Sequence, residues 1–155
     1  RAKTANFPGT TVDFRFGDLP VAEGQNIKLV DLPGLYSLDA LSPEEEVTER
    51  ALRGNIASLG KPGSVLLVID STHLERNLYL ASEVLEIGLP TVVVLTMSDL
   101  SDRMGIAADV EKLSNEFGCP VLQVSSRTGE GINKLKSTLI ETVQQESSST
   151  PRPPA

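Results

Sequence analysis

Residues 64–96 read SVLLVIDSTHLERNLYLASEVLEIGLPTVVVLT, and this stretch decides the fold class. It opens with an apolar run that ends at Asp70 and closes with a second apolar run that ends at Thr96. Apolar side chains recur between the two runs at helical spacings of three and four residues, at Leu74, Leu78, Ala81 and Leu85. A strand, a helix and a second strand in this order predict parallel strands that are covered on both faces.

The same alternation extends in both directions along the chain. Further strands are predicted at Asn26–Asp31 and at 120–125, and further helices at 43–56, 110–117 and 132–143. Ser42, Pro43 and Glu45 form a capping box at the start of the first of these helices. Residues 11–17 and 26–31 flank a turn-rich stretch, which predicts an antiparallel hairpin at one sheet edge. The sequence therefore predicts an α/β fold with a mostly parallel sheet between helical layers.

Composition excludes several classes of protein. The chain has 155 residues and a net charge of −7, so a nucleic acid or an anionic membrane surface would repel it. It contains no apolar run of about 18 residues, the length that a membrane-spanning helix needs. With only Cys119 and His73, it has neither an internal disulfide nor a Cys/His zinc site.

Polar residues follow the predicted strands, where ligands bind in parallel α/β sheets. Asp31 and Gly34 follow the first of these strands, within Asp-Leu-Pro-Gly. An Asp at this position can hold Mg²⁺ through water, and a Gly allows a backbone N–H to approach a phosphate. The alternative is an ordinary turn, since Asp, Pro and Gly are turn residues.

Two more polar segments follow later strands. Thr96, Met97 and Asp99 follow one strand, and a carboxylate there can accept hydrogen bonds from both N1–H and N2–H₂ of guanine. The alternative is that Asp99 is a helix N-cap. A loop containing Ser125, Ser126 and Arg127 follows the last strand. Its backbone amides would meet guanine O6, or the loop is only a glycine-rich turn.

The order of these segments resembles that of a Ras-like GTPase. Residues 6–13 read NFPGTTVD and are similar to the first switch of that class, in which a threonine, here Thr11 beside Thr10, serves Mg²⁺ and the γ-phosphate. The alternative for Thr11 is a β-branched residue that starts a strand.

Residues 70–80, DSTHLERNLYL, resemble the FeoB-type ferrous iron transporters more closely. NFPG at 6–9, DLPGLYSL at 31–38 and FGCPV at 117–121 fit the same family. The resemblance runs from about residue 1 to residue 143. It implies the P-loop NTPase fold and a GTP-binding domain at the cytoplasmic face of the bacterial inner membrane.

The resemblance also implies ligands and partners. Thr11 and Asp31 would serve Mg²⁺, Gly34 the γ-phosphate and Asp99 the guanine base, with the remaining contacts from Thr10, Thr96, Met97, Ser125, Ser126 and Arg127. GTP, GDP, Mg²⁺ and a monovalent cation are the implied ligands. The implied partners are the transporter's own helical and transmembrane domains. Self-association is left open, and no nucleic acid is expected.

Three features depart from the family pattern. The phosphate-binding loop G-x-x-x-x-G-K-[ST] is not found in these 155 residues, and we expect it, with the first strand and helix, upstream of Arg1. Thr96 stands where Asn is usual, and Leu35 stands where Ras-like switches carry a water-positioning Gln. We therefore expect slow GTP hydrolysis without a catalytic side chain in the intact protein, and millimolar GTP binding at best by this chain alone.

Two other functions remain as alternatives. The first is a Ras-like interaction module that no longer binds nucleotide, and the second is an RNA-associated GTPase, which the negative charge disfavours. Residues 1–145 are expected to form the GTP-binding domain, and the Ser/Pro-rich residues 146–155 a linker or tail.

Overall fold

The computed structural model describes residues 3–6, 13–35, 38 and 42–149. The chain divides into two compact units, Arg1–Pro62 and Gly63–Ala155. Strands and helices alternate in the second unit, while three strands precede one helix in the first. Among the described residues, none of the helices has the length and apolar character needed to cross a membrane.

The first unit contains an antiparallel sheet in the order β1-β2-β3. Its elements are β1 (Lys3–Asn6), β2 (Asp13–Pro20), β3 (Asn26–Asp31) and the helix α1 (Pro43–Leu52). The pairing of β2 with β3 confirms the predicted hairpin, with Phe16 opposite Val30. β2 extends to Pro20, three residues beyond the predicted strand, because the turn needs only 21–25 and closes with a bond from Val21 N–H to the Gln25 carbonyl at 2.8 Å.

A small hydrophobic core holds α1 within the first unit. Phe14 of β2 is fully buried and packs with Val47, Ala51 and Ile56. The capping box at the start of α1 is confirmed: the Glu45 N–H donates to Ser42 Oγ, and the Ser42 N–H donates to Glu45 Oε2, both at 3.2 Å. Local capping and burial therefore both specify this helix.

The second unit contains a parallel sheet in the order β4-β5-β6. Its elements are β4 (Val65–Asp70), α2 (Leu74–Glu86), β5 (Thr91–Thr96), α3 (Ser98–Arg103), α4 (Val110–Phe117), β6 (Val121–Gln123) and α5 (Ile132–Ser149). In register, Asp70 pairs with Thr96, and Leu95 with Gln123, so the three strands end at the same edge of the sheet. The predicted combination of a parallel sheet with an antiparallel hairpin is confirmed.

Burial differs between the parallel strands. The five residues from Thr91 to Leu95 of β5 are all buried, as predicted for a strand covered on both faces. The same prediction is wrong for β4, because Val68 is 58% exposed while Leu67 and Ile69 on the other face are buried. Among the described strands, β4 pairs only with β5, and β3 pairs only with β2, so two sheets are found instead of one.

Two helices differ from the sequence predictions. α3 spans six residues, Ser98–Arg103, and is not among the helices predicted from the sequence. α5 continues to Ser149, four residues past the expected domain end at residue 145. Part of the expected linker is therefore helical, and residues 150–155 lie outside the described part.

Candidate functional site

The loops that follow β5 and β6 lie side by side at the carboxyl edge of the parallel sheet. Ser98, buried at the start of α3, donates a hydrogen bond to the Val124 carbonyl at 3.2 Å. Ser125, also buried, donates from its hydroxyl to Asp99 Oδ1 at 3.3 Å. Two segments about 26 residues apart in sequence are thereby held as one surface.

Asp99 is the centre of this surface. Its carboxylate is bonded through Oδ1 to Ser125 and through Oδ2 to Arg127, whose Nε lies at 2.9 Å and Nη2 at 2.8 Å. The Asp99 side chain is 25% exposed and that of Arg127 is 63% exposed. The hydrogen bond and charge of Arg127, with the Ser125 hydroxyl, hold the pKa of Asp99 below its ordinary value of 3.8, against the opposing effect of burial.

The alternative that Asp99 is a helix N-cap is wrong. The N-cap of α3 is Met97, which has φ 58° and ψ 27°, and its side chain makes no capping bond. Asp99 lies one residue inside the helix, in its first turn. The left-handed backbone at Met97 is uncommon for a residue with a side chain, and it turns the chain sharply from β5 into α3.

Thr96, at the end of β5, uses its hydroxyl within the sheet. Its Oγ1 donates to the Ile69 carbonyl of β4 at 3.2 Å. Ser71, which follows β4 and is buried, donates to the Thr96 carbonyl at 2.6 Å. Thr96 therefore joins two strand ends and does not direct a polar group toward Asp99.

The loop after β6 is closed by its own hydrogen bonds. The Gly129 N–H donates to the Ser125 carbonyl at 2.8 Å, and the Ser125 N–H to the Glu130 carbonyl at 3.1 Å. Gly131 has φ +79°, and a Cβ there would overlap the Gln123 carbonyl oxygen. A glycine is thus required where the loop returns to the sheet. Ser126 and Arg127 are exposed on this loop.

The predicted residues of the first unit lie at the end of β3. Asp31 is exposed and stands opposite Arg15 in the strand register. The loop after it is attached to α1 by a bond from Thr48 Oγ1 to the Pro33 carbonyl at 3.1 Å. Among the described residues, no atom would lie within 4 Å of a Cβ added at Gly34.

Some of the residues predicted to contact the metal ion and the phosphates cannot be located in the described part of the chain. Thr10 and Thr11 lie outside the described residues. Within the described part, no group of three or more His, Cys, Asp or Glu side chains is placed to hold a metal ion. Asp31 is therefore not part of a cluster of metal-binding side chains among the described residues.

Asp70, at the end of β4, organises the start of α2. Its Oδ1 accepts from the Thr72 N–H at 2.8 Å and from Thr72 Oγ1 at 2.6 Å. These bonds hold the pKa of Asp70 below its ordinary value of 3.8, with a smaller contribution from His73, whose Nδ1 lies 3.5 Å from Oδ2. Asn77 donates to the His73 carbonyl at 3.0 Å. This segment stabilises a helix start.

Sequence reasoning missed Ser71 and Ser98 and did not pair Arg127 with Asp99. Serine after a strand is compatible with many turns, so its type alone indicates no role. The ion pair joins residues 28 positions apart, and only the closed loop brings them together. The one feature of the sequence that points to this ion pair is the presence of an Arg in the loop after β6, the strand that follows Asp99 along the chain.

Comparison with known proteins identifies relatives over most of the chain. The family model described as Ferrous iron transport protein B matches residues 1–139. The Fe(2+) transporter FeoB of Salmonella typhimurium is 38% identical over 136 residues, which is 88% of this chain and 17% of the relative. The chain therefore spans about a sixth of the length of this curated relative.

Solved structures agree with the sequence relatives. The cytosolic domain of the Thermotoga maritima FeoB iron transporter, solved in a GMPPNP form, superposes with a TM-score of 0.82 at 35% identity, covering 92% of this chain and 54% of that one. The FeoB G-domain from Methanococcus jannaschii gives a TM-score of 0.75 at 35% identity, covering 83% and 79%.

Proposed function

The chain belongs to the ferrous iron transport protein B family, and from this premise we propose that it is a GTP-binding regulatory domain of a ferrous iron transporter. In the intact protein it binds GTP, hydrolyses it slowly to GDP and phosphate, and couples nucleotide state to Fe²⁺ uptake. The observation that carries the proposal is the Asp99 carboxylate, held at the carboxyl edge of the parallel sheet by Ser125 and Arg127.

The chemistry of this carboxylate selects guanine. Guanine presents N1–H and N2–H₂ as adjacent donors, and a carboxylate accepts both in parallel through its two oxygens. Adenine presents an acceptor at N1 and cannot form this pair. Because Ser125 orients Oδ1, the carboxylate is positioned before the base arrives.

Neighbouring groups complete the proposed base pocket. Among the described residues, the Ser126 and Arg127 amide N–H groups have no hydrogen-bond acceptor, so they are available to guanine O6. Met97 is 45% exposed directly before α3 and offers an adaptable apolar surface to the face of the base. Thr96 acts through its backbone, since its hydroxyl already donates to Ile69.

Phosphate and Mg²⁺ contacts are assigned to the first unit. Asp31 is the proposed carboxylate toward Mg²⁺, with Thr10 and Thr11 as the first-switch residues. Gly34 is the proposed γ-phosphate contact, because a glycine has no side chain that would keep its backbone N–H away from a phosphate. A bound Mg²⁺ would neutralise phosphate charge, and a monovalent cation is a second implied ligand.

Slow hydrolysis follows from the side chains available. Leu35, which follows Gly34, cannot orient a water molecule through a hydrogen bond. No catalytic side chain is therefore assigned, and rate would come from positioning and charge neutralisation alone. Slow hydrolysis would make the GTP-bound state long-lived. The switch segments, residues 4–13 and 32–41, would be ordered in the GTP-bound state and released in the GDP-bound state.

The proposed setting is a larger membrane protein. Residues 1–145 are assigned to the GTP-binding domain and 146–155 to a linker or tail. The partners would be the helical and transmembrane parts of the transporter, at the cytoplasmic face of the bacterial inner membrane. Self-association is a further option, whereas the net charge of −7 disfavours a nucleic acid.

One observation favours a second candidate, an interaction module that does not bind nucleotide. The Asp99 carboxylate already has intramolecular donors on both oxygens, so the residue has a structural partner without any ligand.

Base selectivity decides between the two candidates. The chain is titrated with GMP, IMP and AMP, whose phosphates are identical, and amide shifts of α3 and the 124–131 loop are followed by NMR. The GTP-binding domain predicts millimolar binding in the order GMP, IMP, AMP, because N2–H₂ and then N1–H are lost. Equal responses to GMP and AMP would leave the interaction module.

A further inference from the structure

The Asp99 carboxylate has no free pair of acceptor positions for guanine. Arg127 places two guanidinium nitrogens against the single oxygen Oδ2: Nε donates a hydrogen bond at 2.9 Å, and Nη2 lies at 2.8 Å in the ion pair. Ser125 places one donor on Oδ1. The guanidinium therefore covers Oδ2, whereas Oδ1 has one donor and retains one acceptor position.

Guanine needs one position on each oxygen. Its N1–H and N2–H₂ are parallel donors that must meet Oδ1 and Oδ2 together. With Arg127 in place, the base can reach only Oδ1. Arg127 must therefore withdraw at least one N–H before the second hydrogen bond of guanine can form.

The surroundings allow Arg127 to leave without disturbing the loop. Its side chain is 63% exposed, and within the described part of the chain its side-chain hydrogen bond and ion pair are both with Asp99. The loop itself is held by other groups: Ser125 is 2% exposed, and the Thr128 N–H donates to Ser125 Oγ at 3.3 Å. Arg127 is therefore a movable partner and Ser125 a fixed one.

Resting on the proposed function, we propose that Arg127 is an internal competitor of guanine for Asp99 and a determinant of nucleotide affinity. The ion pair stabilises the nucleotide-free state, and each binding event exchanges the contacts of Arg127 with Oδ2 for hydrogen bonds from the base. Adenine cannot make this exchange, because its N1 offers no proton to the carboxylate.

If Arg127 competes with guanine for Asp99, replacing Arg127 should change the affinities for GMP, IMP and AMP by different amounts. An exposed ion pair contributes little, so its loss should change affinity by at most about fivefold. Arg127→Gln should therefore tighten GMP binding by about three- to fivefold. IMP, which needs one oxygen only, should gain less, and AMP should gain nothing.

Charge alone predicts the opposite sign. Removal of a cation from a surface that binds an anionic nucleotide weakens binding of all three nucleotides. Arg103→Gln is the matched control, because Arg103 is exposed on the same helix as Asp99, four residues further on, and lies outside the ion pair. Arg127→Lys keeps the charge but presents an ammonium in place of the planar fork, so its GMP affinity should lie between wild type and Arg127→Gln.

The test is an NMR titration of wild type, Arg127→Gln, Arg127→Lys and Arg103→Gln with GMP, IMP and AMP. Tighter GMP binding by Arg127→Gln alone, with AMP binding unchanged, supports competition between Arg127 and guanine. Base-selective binding that appears only in Arg127→Gln supports it as well. Weaker or unchanged GMP binding by Arg127→Gln, with GMP still preferred over AMP in wild type, overturns the competitor and leaves the proposed function standing. No preference for GMP in any variant overturns both.

Discussion

The Ser98 hydroxyl donates to the Val124 carbonyl at 3.2 Å and so joins the start of α3 to the end of β6. Both residues are buried, and the bond links the segment that carries Asp99 to the loop that carries Ser125 and Arg127. The relative position of Asp99 and its two partners therefore depends on a residue whose hydroxyl bonds to the backbone of Val124 and to none of these three side chains.

Ser98→Ala should destabilise the fold and loosen the Asp99 surface. Loss of a buried hydrogen bond that leaves a carbonyl without this donor costs about 1–3 kcal/mol. Urea unfolding measures the loss. Ser137→Ala is the control, since Ser137 is exposed on α5 and bonds only within its own helix, so its stability should be unchanged or slightly higher. Equal stability of Ser98→Ala and wild type would contradict the role given to this bond.

Asp99→Asn should change base preference. The amide presents one acceptor and one donor in place of two acceptors, which suits xanthine better than guanine. A charged bidentate pair is worth a few kcal/mol, so the ratio of GMP to XMP dissociation constants should move by on the order of a hundredfold. The ratio is measured by titration, and an unchanged ratio would remove Asp99 from the base pocket.

The acid titration of Asp99 should depend on Arg127. The pKa of Asp99 lies below 3.8 in the folded chain, first because of its hydrogen bond with Arg127. A lowered folded pKa means that the stability from this pair is fully present above the unfolded value and is lost as pH falls through the folded value. In Arg127→Gln the Asp99 midpoint should rise and the acid loss of stability should shrink. The carboxyl ¹³C shift of Asp99 against pH measures the midpoint, and Arg103→Gln should leave it in place.

Gly131→Ala should be more destabilising than the same change at Gly105. Both glycines have positive φ, +79° and +71°, so each alanine adds left-handed strain of roughly 1–2 kcal/mol. Only at Gly131 would the new Cβ also overlap a backbone carbonyl, that of Gln123, whereas nothing lies within 4 Å at Gly105. Urea midpoints of the two variants compare the effects. Equal midpoints would mean that the loop relaxes around the added methyl group.

Much of the fold was predictable because its causes are local. The run TVVVLT at Thr91–Thr96 is apolar without interruption, and such a run belongs in a strand with both faces covered, as β5 has. Ser42, Pro43 and Glu45 start α1 through bonds three residues apart. The family resemblance, carried by residues 70–80, was confirmed for the same reason: the motif is contiguous.

What the sequence alone determined is the order of elements and the types of side chain that follow each strand, since hydrophobic period, caps and glycines act within a few residues. Only the tertiary structure decided that Asp99 lies inside α3 and pairs with Arg127 across 28 positions, and that Val68 of β4 is exposed. These features depend on which strand edges pair and on how the loop after β6 closes. Such long-range contacts leave no periodic signal, because any exposed Arg could have met any exposed carboxylate until the backbone brought these two within 2.8 Å.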